Sequence, residues 1–112
     1  MKILFKNTKL KRQFNETLDR TYGPVRARKI RARLAAFRVA HSLAAFWPPK
    51  SGPERCHELT GDRHGQLSVD LDHPYRLIFE PANVPVPRRE DGGLIWEQVT
   101  DIMILGVEDT HE

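Results

Sequence analysis

Gln66-Leu67-Ser68-Val69-Asp70-Leu71, followed after Asp72-His73-Pro74 by Tyr75-Arg76-Leu77-Ile78-Phe79-Glu80, decides the class of fold. In the first run Leu67, Val69 and Leu71 alternate with Ser68 and Asp70. That period of two predicts a strand with the leucines and the valine inward and Ser68 and Asp70 outward. The second run is rich in aromatic and branched residues and starts directly after a His73-Pro74 turn, so it reads as the partner strand. Upstream, Arg55–Leu59 reads as another strand, joined to the first through the turn residues Gly61-Asp62-Arg63-His64-Gly65. Three strands with short connections predict an antiparallel meander.

Outward from this centre the pattern changes. Lys2–Phe5 is short and apolar, bounded by Asn7-Thr8, and predicts a first strand. Leu10, Phe14 and Leu18 then recur every four residues between charged ones, the stripe of an amphipathic helix that Asn7 or Thr8 can cap. Tyr22-Gly23-Pro24 breaks it, and the proline suits the first turn of a second helix. Val25, Ile30, Leu34, Phe37, His41 and Ala44 would form that helix's buried side, with Trp47-Pro48-Pro49 ending it. Pro81–Gly93, with three prolines and paired glycines, predicts a long exposed loop, in which no function is legible. Leu94–Val107, with Trp96, Val99, Ile102, Met103, Ile104 and Leu105, predicts one further strand, or two with a kink near Thr100. The expectation is an α+β domain spanning 1–112: an N-terminal strand, a two-helix hairpin, then an antiparallel sheet of three to five strands.

A chain of 112 residues with 39% hydrophobic and 29% charged residues has the balance of a globular protein with one core. Its single cysteine, Cys56, allows no intrachain disulfide, which favours a reducing compartment. The apolar start is too short for a signal peptide, and no stretch approaches the roughly 20 apolar residues of a membrane span. A cytoplasmic protein with no membrane contact is expected.

Charge is distributed unevenly. Residues 1–38 hold twelve Lys/Arg against Glu16 and Asp19, a local excess of +10, while the remainder holds six against thirteen acids, or −7. Such a cationic face attracts polyanions by counterion release, and nucleic acid leads the candidates. The same charges also fit a solvated helix face.

The run His57-Glu58-Leu59-Thr60-Gly61-Asp62-Arg63-His64-Gly65-Gln66-Leu67-Ser68-Val69, with Tyr75-Arg76-Leu77-Ile78-Phe79 after it, resembles the central signature of HigB-like toxins. These are the plasmid maintenance system killer proteins of the RelE/ParE superfamily. Their pattern is a His-x-Leu-x-Gly strand and turn, a Gly-x-x-Ser strand, and an aromatic-Arg-hydrophobic-x-Phe strand. The tail Glu108-Asp109-Thr110-His111 resembles the family's Asp-Tyr-His ending. Thr60 stands where many relatives have lysine, and Thr110 where they have tyrosine.

The resemblance implies the toxin of a type II toxin–antitoxin pair, an mRNA interferase that cuts mRNA on the ribosome and so inhibits translation. It also implies a HigA-like helix-turn-helix antitoxin, indirect contact with operator DNA through that antitoxin, and no cofactor. The family's catalytic or RNA-contacting positions match His57, Arg76, Asp109 and His111. Metal-free RNA cleavage needs a base for the 2′-OH proton, an acid for the 5′ oxygen and cations for the transition state. His57 and His111 can share the proton transfers, Asp109 can orient a histidine, and Arg76 can grip a phosphate, with Arg63 assisting. Arg26, Lys29 and Arg33, with Arg63, are the expected RNA contacts, the basic hairpin docking on ribosomal RNA.

Plainer readings stand beside these. His57 can be a packed histidine and His111 an ordinary terminal residue, whereas Arg76 in an apolar strand must meet a carboxylate or a ligand. His41 reads as packed, and His64 and His73 as turn residues. Asp70, Asp72 and His73 lack a suitably spaced further ligand, so no metal is expected. Cys56 has no arrangement that would make it a nucleophile. ParE-like toxins share the expected fold but inhibit DNA gyrase without enzymatic activity, and they are the alternative.

Overall fold

The computed structural model describes residues 1–109; Thr110 and His111 lie outside the described residues. The strands are β1 Lys2–Phe5, β2 His57–Glu58, β3 Leu67–Asp70, β4 Tyr75–Pro81 and β5 Asp101–Asp109, and the helices α1 Thr8–Glu16, α2 Leu18–Tyr22 and α3 Pro24–Val39. They form one five-stranded sheet in the order β1-β5-β4-β3-β2. β2 to β5 make the antiparallel meander, and β1 closes the sheet parallel to β5, with Ile3 opposite Ile102. The expected α+β architecture is present, with the helices packed on one face of the sheet.

Local chemistry explains the helices. The Asn7 side chain accepts a hydrogen bond from Leu10 N at 2.8 Å, which caps α1. Leu10 and Phe14 bury its stripe. Gly23 turns the chain at φ 84°, and Pro24 opens α3. From α3, Ala27, Ile30, Leu34 and Phe37 enter the core. There Phe37 packs between Phe46 and Phe79, with ring centroids 5.4 and 5.0 Å away. Among the described residues no helix is long and apolar enough to cross a membrane.

Several sequence expectations need correction. The second helix was expected to reach Trp47, but α3 ends at Val39. The Met1 amino group donates to the carbonyls of Phe37 at 2.9 Å and Ala40 at 2.6 Å, satisfying acceptors that a helix end leaves open. The chain then enters a 3-10 turn at Leu43–Phe46, capped by Ser42, which carries Leu43 into the core and leaves His41 exposed. At the start of α3, Val25 is 53% exposed, because Ala27 and Ile30 occupy the inner face instead.

Ser68 points away from the helices, as the alternation predicts, but is fully buried there. Arg55–Leu59 pairs only at His57–Glu58, because the Ser51–Arg55 turn bends the chain up to that point. In the C-terminal segment Trp96–Gln98 is a 3-10 turn and β5 starts at Asp101. Asn83 Oδ1 holds the Thr100 and Asp101 amides at 3.1 and 3.2 Å, fixing that entry into the sheet.

β4 and β5 carry a bulge. Ile78 faces Gly106 while Phe79 faces Ile104, so Leu105 is the extra residue, and Gly106 accommodates it at φ 153°. The bulge bends β5 and changes which of its side chains look away from the helices.

Candidate active site

Strand register sorts the candidate residues onto two faces. His57 faces Ser68, Ser68 faces Ile78 and Ile78 faces Gly106; one step along, Asp70 faces Arg76 and Arg76 faces Glu108. Side chains directly opposite each other in a sheet share a face. His57, Arg76 and Glu108 therefore lie together on the face away from the helices. His57 and Arg76 are two strands and one step apart, which sets their Cα atoms roughly 12 Å from each other at ordinary sheet spacings.

Arg63 joins them from the β2–β3 connection. Its guanidinium grips both Glu108 carboxylate oxygens, at 3.0 and 2.8 Å, and its Nε donates to Gln66 Oε1 at 2.8 Å. For a residue between β2 and β3 to reach β5, the connection must fold back across β3 and β4. This cover buries Ser68 and Ile78 on the face that has no helices, and it is the physical reason that Ser68 is not in solvent. Among the described residues Ser68 Oγ has no hydrogen-bond partner.

Arg76, half-buried, meets a carboxylate. Asp70 lies 3.5 Å from Arg76 Nε through Oδ1 and 3.3 Å from Arg55 Nε through Oδ2. His57 is oriented by a backbone contact, its Nδ1 lying 2.9 Å from the Arg55 carbonyl oxygen. A carbonyl only accepts, so Nδ1 carries the hydrogen and the neutral ring's lone pair is on Nε2. A groove of about 420 Å³ runs beside this histidine, lined by Pro49, Lys50, His57, Glu58, Leu59, Thr60 and Trp96.

The other expected residues lie elsewhere. Asp109 faces Tyr75 across β4 and β5, so alternation turns it to the face opposite Glu108. Arg26 stacks 3.5 Å above the Tyr75 ring and is held by Asp72 at 3.0 and 3.1 Å. The Asp72 hydrogen bonds hold the Arg26 guanidinium above its usual pKa, so this cation belongs to a closed ion pair. Arg33 donates to the Asp70 carbonyl oxygen at 2.7 Å and to that of Pro53 at 3.3 Å, tying α3 to the end of β3. Lys29 makes no salt bridge with a described residue. His111 lies outside the described residues.

Glu108 was assigned no role from the sequence. The signal was present in the alternation of β5, but its register against Arg76 depends on the bulge at Leu105. Among the described residues no cluster of three or more His, Cys, Asp or Glu side chains can hold a metal ion. Asp70 and Asp72 are both engaged by guanidinium groups.

A solved toxin structure supplies the comparison for this arrangement of strand, helices and meander. The fold is that of a YoeB/ParE toxin. Over 99% of this chain and 100% of the other, the structure superposes on the YoeB/ParE toxin from Agrobacterium tumefaciens with a TM-score of 0.59 at 12% sequence identity. Comparison with protein-family models and with curated proteins gives no match. At this identity the likeness to the YoeB/ParE toxin concerns the fold, and the chemistry has to be argued from this chain's own residues.

Proposed function

We propose that this chain is the toxin of a type II toxin–antitoxin pair, HigB-like within the RelE/ParE superfamily, and that it cuts mRNA on the ribosome. The observation that carries the reading is His57: its Nδ1 is committed to the Arg55 carbonyl, and it shares a sheet face with Arg76 and Arg63. In this reading His57 Nε2 takes the 2′-OH proton, the 2′ oxygen attacks phosphorus, and the 5′ oxygen leaves with a proton from His111. The products are a 2′,3′-cyclic phosphate and a 5′-hydroxyl end. Arg76, released from Asp70, binds the non-bridging oxygens, with Arg63 beside it. Asp109 assists His111. No metal or cofactor takes part in these steps.

Lys29 and the unpaired basic residues of α1 to α3 dock on ribosomal RNA, and Arg26 and Arg33 contribute their positive field while keeping their structural partners. A HigA-like antitoxin is the expected partner, and it links the toxin indirectly to operator DNA. Induction of the toxin, with 5′ ends of cellular mRNA mapped beside a gyrase supercoiling assay, tests the reading for wild type, His57→Ala and Arg76→Ala. New ends that vanish in both variants support it. Intact transcripts with blocked supercoiling support the second reading, a non-enzymatic gyrase inhibitor. What favours that second reading is that Arg63 and Arg76 are both occupied by carboxylates.

A further inference from the structure

Trp47 is 57% exposed, an unusual placement for the residue with the largest apolar surface. It stands edge-on to buried Trp96, with ring centroids 5.2 Å apart and planes at 84°. The two rings, with Ala44, Arg89 and Glu97, line a recess of about 230 Å³. Trp96 also lines the His57 groove, so the recess and the groove meet at one indole. Two cations flank the pair: Lys50 on the groove side and Arg89 on the recess side. Neither makes a salt bridge with a described residue, whereas the Glu58 carboxylate of the groove is held by Arg88 at 3.5 Å.

Exposed indole, unpaired cations and a cleft leading away from a candidate general base form a combination suited to one class of ligand. Every nucleobase has a π-face that stacks on an indole, and its backbone phosphate attracts cations. A peptide or lipid would use the apolar ring but has no general need for Lys50 and Arg89 together.

We propose that the exposed Trp47 indole, braced edge-on by buried Trp96, forms a base-stacking subsite for single-stranded RNA, one that seats a nucleotide flanking the bond presented to His57, with Lys50 and Arg89 attracting its phosphates. This deepens the RNA-cleaving function proposed above and rests on it for the role of His57. In the recess Glu97 is an acceptor for the amino or imino hydrogens of a base. Guanine, cytosine and adenine donate there, and the uracil edge offers fewer donors.

The test is titration of the full chain with a short 2′-O-methyl single-stranded RNA, which binds without being cut, followed by tryptophan fluorescence. Wild type should be quenched on binding. Trp47→Ala should bind roughly tenfold or more weakly, the size expected for losing one stacked base, and Trp47→Phe should retain most of the affinity. The double change Lys50→Ala with Arg89→Ala should lower the slope of log affinity against log salt by about 1–2. Absence of quenching, or equal affinity in wild type and Trp47→Ala, overturns the subsite, including the case in which only a protein partner requires the indole.

Wild-type cleavage of mRNA on ribosomes, measured in parallel, separates the two claims. Cleavage with no effect of Trp47 removes the subsite alone. Oligonucleotide binding through Trp47 without any cleavage removes the nuclease function and leaves the subsite.

Discussion

Arg63, in the connection between β2 and β3, clasps both carboxylate oxygens of Glu108 on β5, at 3.0 and 2.8 Å. This pair closes the turn over the sheet face that carries His57 and Arg76. It also occupies a guanidinium that an RNA phosphate would need. Together with Asp70 between Arg55 and Arg76, it leaves all three guanidiniums of the face engaged by carboxylates, so an incoming phosphate has to compete with those carboxylates.

Removing Glu108 should therefore affect binding more than stability. The side chains are 37% and 43% exposed, so the pair is worth only about 0–1 kcal/mol. Glu108→Gln should shift urea unfolding by no more than about that amount while tightening RNA binding severalfold through the freed cation. A loss of RNA affinity in Glu108→Gln would show that the carboxylate assists binding rather than opposing it.

Cys56 is fully buried, and burial raises its thiol far above the usual value of 9.0. Thiol reagents should react with the native protein only at the rate of unfolding. The sign of the pH effect follows from the same shift. Below pH 9 both folded and unfolded thiols are protonated; above it the unfolded chain releases the proton and the folded one retains it, so stability falls with rising pH. Thermal melts between pH 8 and 10.5 should show a steeper decline in wild type than in Cys56→Ala, and identical slopes would refute the assignment.

Phe37 has no exposed surface and joins α3 to the sheet through Phe46 and Phe79. Phe37→Ala should cost about 3–5 kcal/mol, from lost burial and from the cavity left behind. Asn7→Ala, which removes only the α1 cap, should cost about 1 kcal/mol. Denaturant unfolding of both variants checks the order; a cap variant less stable than the core variant would contradict this account of the packing.

The sequence revealed most where the information was local. Alternation in Leu67–Leu71 identified β3, the four-residue stripe of Leu10, Phe14 and Leu18 placed the first helical segment, and Gly23-Pro24 marked the break. What stayed hidden depends on residues far apart in the chain. Met1 receives the end of α3, thirty-six residues from Phe37, and no local signal around Val39 announces that. Ser68 is buried because a turn folds over it, and Glu108 faces Arg76 because of a bulge at Leu105. The parallel pairing of β1 with β5 is likewise invisible in composition. For the candidate residues, the partition between sheet faces was not legible: the sequence groups Asp109 with Arg76, yet Asp109 shares its side of the sheet with Tyr75.

The measurement that tests the central claim most directly is primer extension on an mRNA programmed into ribosomes with the purified protein. Wild type should produce discrete new 5′ ends, and His57→Ala should reduce their rate by roughly 10²-fold or more, the usual contribution of a general base. Equal cleavage by wild type and His57→Ala, or no cleavage by wild type, would contradict the account.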